Sequence, residues 1–233
     1  MSTAIPTGMV AMRSGAFLAS SDELNITVRG AGGHASEPHR TIDPIPAVCE
    51  IVQALQTLVA RRLNVFDSGV VSVTQINAGS AYNVIPDEAV IKGSIRAVSE
   101  ETRKRIKEEI ERVAFGVGAA HQMQVDVHIG EGYPVLINDA DYAEFSTDIA
   151  ATFLGRENII HLPNPLMASE DFSYVLNQIP GAMMGVGATP IGVDTATAPP
   201  PHSSKVFFDE DAMKIGTSLL VGNALRHLNV TLS

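Results

Sequence analysis

Cysteine is almost missing from this sequence of 233 residues, where Cys49 stands alone. It cannot close an internal disulfide, so a reducing cytoplasm is the expected setting. Basic residues are also scarce. Sixteen lysines and arginines face 26 aspartates and glutamates, a net charge of −10. That balance argues against nucleic acid or an anionic membrane as partner, since both bind clustered positive charge. No apolar run approaches the roughly 20 residues that span a bilayer. The opening "MSTAIPTGMVAMRSG" lacks the charged-then-apolar pattern of a signal peptide. Familiar catalytic patterns are missing too. There is no Walker lysine, G-x-G-x-x-G loop, G-x-S-x-G elbow, H-x-D, H-E-x-x-H or C-x-x-C. Neither internal repeats nor low-complexity tracts occur.

What is present is a hydrophobic fraction of 45%, enough to exclude general disorder and to bury a sizeable core. In "DELNITVRG" (22–30), Leu24, Ile26 and Val28 alternate with polar neighbours, which predicts a half-buried strand. Asp43 and Pro44 open a helix as N-cap and first-turn proline, with Val48, Val52, Leu55, Leu58 and Val59 at helical spacing. "GVVSVTQIN" and "AVIKGSIRAV" predict two further strands, Ser99 caps a second helix, and "MQVDVHI" predicts a closing strand. The order β-α-β-β-α-β over 22–130 is the ferredoxin-like arrangement of two helices on one antiparallel sheet. An edge strand and a helix of such a sheet offer a surface for a second copy. After Gly130 the pattern predicts three helices, two strands at most and a long loop, too little for a sheet-centred core. Gly155 is the expected end of the first of these helices, and "NPLMASEDFSYVLNQIPG" predicts a short acidic-capped one.

Local chemistry leaves several residues open. His34, in Gly30-Ala31-Gly32-Gly33-His34, reads as an exposed loop histidine or as a donor to a developing oxyanion, its glycines letting backbone approach a ligand. His39 reads as a surface residue. Asn83 is a turn asparagine or an amide that grips a carboxylate or carbonyl. Arg96, on the polar face of its strand with Lys92 and Ser94, is a solvated cation or a carboxylate clamp. Glu170 and Asp171 suit a helix start or the margin of a metal site. His202 follows three prolines and is a possible ligand, yet one histidine makes no site. Cys49 is expected in the core.

Taken together and in this order, "GAGGHASEPHRTIDPI", "VVSVTQINAGSAYNVIPDEAVIKGSIRA", "MASEDFSYVLNQIPGAMMGVG" and "PHSSKVFFDEDA" resemble the co-catalytic zinc metallopeptidase and amidohydrolase family, especially its hippurate hydrolase and auxin-conjugate branch. The resemblance implies a zinc-exopeptidase-like α/β catalytic domain interrupted by a ferredoxin-like lid that pairs with a second copy. The lid falls at 20–131, a return segment of the catalytic domain at 1–19, and its C-terminal part at 132–233. By motif, the resemblance makes His34 the lid histidine that polarises the scissile carbonyl across a homodimer. It makes Asn83 and Arg96 holders of the substrate carboxylate, places Glu170 beside the metal centre, and makes His202 the last metal ligand. The implied cofactor is a divalent metal, zinc with manganese or cobalt as alternatives. The implied substrate is an N-acyl amino acid or small peptide. Most of the family's metal ligands and its general-base glutamate belong to an N-terminal half that this sequence does not show. The chain alone is therefore expected to hold no metal pair, as a truncation, a fragment or one part of a split enzyme. The other readings are a non-catalytic dimerisation or binding module and a metal-free hydrolase of activated esters or amides.

Overall fold

The computed structural model describes residues 1–230. In chain order its elements are β1 (Ser2–Pro6), β2 (Val10–Met12), β3 (Gly15–Leu18), β4 (Asp22–Arg29), β5 (Gly33–His34), α1 (Pro44–Arg62), β6 (Gly69–Ala78), β7 (Val84–Ile85), β8 (Glu88–Ala97), α2 (Glu100–Ala120), β9 (Gln124–Glu131), β10 (Leu136–Asn138), α3 (Ala140–Leu154), β11 (Ile159–His161), α4 (Phe172–Leu176), β12 (Gly185–Thr189) and α5 (Asp211–His227). They fall into two units. One contains residues 1–17, 136–166 and 172 onward; the other contains 18–135 with 167–171.

The second unit is built on an antiparallel sheet of order β6-β8-β4-β9. With α1 and α2 packed on one face, this is the ferredoxin-like lid. The alternation in β4 buries Leu24, Ile26 and Val28 against Ile91 and Ile95 of β8. The Asp43 carboxylate accepts from the Ile45 N–H at 3.0 Å, and the Ser99 hydroxyl accepts from the Thr102 N–H at 3.1 Å, so both helices start at their sequence caps. Val48, Ile51, Leu55 and Leu58 of α1 and Ile106 and Ile110 of α2 close the core. At about 1.5–3 kcal/mol for each such side chain, this burial is the main source of the unit's stability. Cys49 corrects the expectation of a core position, because it is exposed. It lies about 100° past Val48, on the side away from Ile51, and so faces solvent.

The chain enters and leaves the lid along neighbouring backbones, with Ser21 N–H donating to the Tyr133 carbonyl at 2.9 Å. There the Asp22 side chain is 0% exposed. Its carboxylate takes both Nε and Nη2 of Arg103, at 2.7 and 2.6 Å, Lys107 at 3.2 Å and the Gly132 N–H at 3.2 Å. Arg103 also pairs with Glu100, whose carboxylate accepts from the Val135 N–H at 2.8 Å. Burial pushes the Asp22 carboxyl upward, but Arg103 and Lys107 hold it below the ordinary aspartate range.

The first unit has a mixed sheet of order β1-β12-β2-β11, and β3 pairs with β10 in a separate ribbon. Helices α3 and α5 contribute Ala150 and Leu219 to a core with Val10 and Ile159. Here the sequence reading is corrected. Three strands follow Gly130 beyond the lid, and β1 and β2 from the start of the chain complete a sheet-centred core. Strands of three to five residues are too short to show alternation. Gly155 does end α3, at φ 84°, while α4 shrinks to five residues.

Candidate functional site

The loop before α1 is pinned backbone to backbone. Gly30 N–H donates to the Asp87 carbonyl at 2.8 Å, Gly32 N–H to the Asp87 carboxylate at 2.8 Å, and Ala31 exchanges two hydrogen bonds with Ile42. A Cβ on Gly30 would overlap the Ile42 carbonyl oxygen, and one on Gly32 the Ile85 carbonyl oxygen. The glycines thus let backbone approach backbone, which corrects the expectation that they make room for a ligand.

That packing sets His34 in a short ladder. His34 pairs with Val84, and Ala35 N–H donates to the Asn83 carbonyl at 3.0 Å. Val84 N–H closes a turn on the Ala81 carbonyl, leaving Tyr82 and Asn83 at its two corners. Tyr82 is 100% exposed. Asn83 is therefore a turn asparagine, as its type favours, and it occupies the rung next to His34. The exposed His34 ring has its Nδ1 2.7 Å from the Ser36 hydroxyl and 3.2 Å from the Ser36 nitrogen.

Arg96 stands on the outward face of β8, opposite Val70 of β6. Its Nη1 is buried without a hydrogen-bond partner among the described residues, a donor suited to a carboxylate. Glu170 groups with the lid unit. Partial burial, and after it the hydrogen bond and charge of Asp171, raise its carboxyl above the ordinary glutamate range. His202 lies in the other unit at φ 68°, in the left-handed region. Ser203 N–H closes a turn on the Pro200 carbonyl, so Pro201 and His202 take the corner positions of a type II pattern that favours glycine at the second. The structure thus brings His34 and Asn83 together, with Arg96 in the same unit. Among the described residues no three His, Cys, Asp or Glu side chains gather into a metal-ligand set. Reading by motif missed Ser36 and Asp87, although both lie within the quoted stretches; side-chain type near a glycine run was their only signal.

The profile of the peptidase dimerisation domain matches residues 19–115. Hippurate hydrolase of Campylobacter jejuni is 39% identical over 163 residues, covering 70% of this chain and 43% of the relative. N-acetyldiaminopimelate deacetylase of a Geobacillus strain is 33% identical over 217 residues, covering 93% and 55%. A crystal structure from Bacillus subtilis, described as a dinuclear metal binding peptidase from the M20 family, superimposes with a TM-score of 0.77 at 26% identity. It covers 97% of this chain and 55% of that one. The chain belongs to the M20 peptidase family. It spans about half the length of the curated M20 relatives it matches. The dimerisation-domain match falls within the ferredoxin-like unit, and the other unit shares the fold of its solved relatives.

Proposed function

We propose that this chain supplies the lid and the C-terminal part of the catalytic domain of a cytoplasmic amidohydrolase that cleaves N-acyl amino acids. The placement of His34 and Asn83 on adjoining rungs of one exposed ladder carries the reading. His34 would donate to the scissile carbonyl oxygen of a substrate bound at the partner subunit, where negative charge develops. Asn83 and, from the opposite subunit, Arg96 near the other end of β8 would hold the carboxylate, which meets the unpartnered Arg96 Nη1. The names of the relatives support the substrate class, because hippurate and N-acetyldiaminopimelate are both N-acylated amino acids. The family's divalent metal does not fit the residues described here. His202 has no gathered set of partners, whereas hydrolytic metal sites need three or more protein ligands.

Titration of the isotope-labelled chain with N-benzoylglycine tests this. His34, Asn83 and Arg96 resonances are expected to move together, and Arg96→Ala to weaken binding about tenfold or more, as for a lost charge-assisted hydrogen bond. Binding that leaves these three unmoved overturns the reading. A second reading, a non-catalytic binding module, is favoured by the lack of a gathered ligand set among the described residues. Binding without hydrolysis when the chain is mixed with zinc, manganese or cobalt and the N-terminal half of a hippurate hydrolase would select it.

The same proposal includes a homodimer through β6 and α1. The two sheet edges differ: β9 carries Asp126, His128 and Glu131, while β6 has no charged residue. Charge protects an edge from pairing, so β6 is the edge open to a second copy. Light scattering is expected to show a dimer that Ser72→Lys with Thr74→Lys converts to monomer. A native monomer, or a dimer indifferent to both lysines, would refute this interface.

A further inference from the structure

The His34 ring is not free to choose where its proton sits. Ser36 N–H donates to Nδ1 at 3.2 Å, and an N–H can donate only to a nitrogen that keeps its lone pair. The Ser36 hydroxyl, 2.7 Å from the same nitrogen, then donates to it as well. In the neutral imidazole the proton must lie on Nε2. That N–H has no hydrogen-bond partner among the described residues. The contact is the histidine counterpart of the turn that Asn and Asp make with the N–H two residues on. Meanwhile β5 fixes the His34 backbone against Val84.

We propose that Ser36 is a positioning residue whose backbone N–H locks His34 in its Nε2–H tautomer, making His34 a hydrogen-bond donor and not a general base. The inference rests on the reading of His34 as the carbonyl donor. A base needs an outward lone pair, whereas here the outward nitrogen carries the proton. A donor already aimed needs no reorganisation as charge develops on a carbonyl oxygen. Neutral histidine serves as an electrophile elsewhere by the same logic. Ser36 acts only through the ring.

Long-range proton–nitrogen spectra of the full chain test the lock, recorded well above the ordinary histidine pKa of about 6.5. His34 is assigned by its loss in His34→Gln. A single form is expected, with Nδ1 bare and Nε2 protonated. Ser36→Ala keeps the backbone donor and is expected to keep the single Nε2–H form, whereas Ser36→Pro, which removes that N–H, is expected to lower the Nε2–H to Nδ1–H ratio about fivefold, the equivalent of one net hydrogen bond. The lid amide spectrum reports that each variant is folded. An Nδ1–H or mixed form in the native chain, or a folded Ser36→Pro variant with the native ratio, overturns the lock. A locked ring that ignores N-benzoylglycine upholds the lock and defeats the carbonyl-donor reading. An unlocked ring that responds to the ligand defeats the lock alone.

Discussion

Asp22→Ala is expected to destabilise the lid by about 3–5 kcal/mol, the usual cost of removing one partner from a buried ion pair. The magnitude follows from what is left behind. Arg103 would keep its charge with Glu100 as its remaining acidic partner, and the Asp22 contacts to Lys107 and Gly132 would be lost with the carboxylate. Since Asp22 ties the strand entering the lid to the backbone leaving it, the loss should appear where the core itself is intact. Urea denaturation followed through lid amides measures it, and a change below about 1 kcal/mol would show the network to be dispensable. Acid provides an independent check on sign. A carboxyl whose folded pKa is depressed contributes stability that is complete above its unfolded value and is lost as pH falls through the folded one. Asp22 is depressed in this sense, so lid stability should decline as pH drops below the ordinary aspartate range of about 3.9. Glu109, held near 2 chiefly by Arg112 and then by Arg62, adds a smaller contribution from a partly buried surface site in the same window. Asp22→Asn is expected to be less stable at neutral pH but to decline less with acid, so its curve converges on the native one. Parallel curves would mean that lost packing, and not lost charge, explains the variant.

This network was invisible in the sequence, for a physical reason. Asp22 and Arg103 lie 81 positions apart, and each alone reads as an ordinary charged residue. The lid, by contrast, was legible because its signals are local and periodic. Leu24, Ile26 and Val28 alternate over one strand, and Asp43 and Ser99 start their helices through hydrogen bonds two and three residues away. Periodicity failed where it was applied loosely. Cys49 sits among apolar neighbours in sequence, but the helix turns it away from Ile51 and Leu55. It also failed where strands are too short to show a period, as with β10 and β11. For the candidate site, residue types were legible and roles were not. The glycine run drew attention to His34, yet its reason is the Ile42 and Ile85 carbonyls that only the fold brings close. The proximity of Asn83 to His34 depends on pairing between β5 and β7, two strands of two residues each that no alternation could reveal.

The glycine run makes a sharp prediction. Gly32→Ala is expected to cost about 1–3 kcal/mol, the range for forced overpacking, and to displace the His34 ladder. The added Cβ would overlap the Ile85 carbonyl oxygen and lie 3.0 and 3.1 Å from Pro86 and Asp87 backbone atoms. All three belong to the chain carrying β7, so relief requires that backbone to move away from β5. The movement strains the Gly32 N–H to Asp87 carboxylate bond and the Ala35 N–H to Asn83 carbonyl bond together. Lid core amides in β4 and α1 should stay near their native positions while those of residues 33–35 and 83–87 shift, and N-benzoylglycine binding should fall with them. Gly116→Ala supplies the matched control. Gly116 lies within α2, where an added Cβ meets nothing within 4 Å. There alanine should stabilise by up to about 1 kcal/mol through helix propensity. One substitution thus has opposite signs at two glycines, decided by backbone clearance alone. A Gly32→Ala chain with native stability and an unmoved His34 ladder would show that the glycine is not needed for close packing. Its place beside His34 would then have to be explained by a ligand after all.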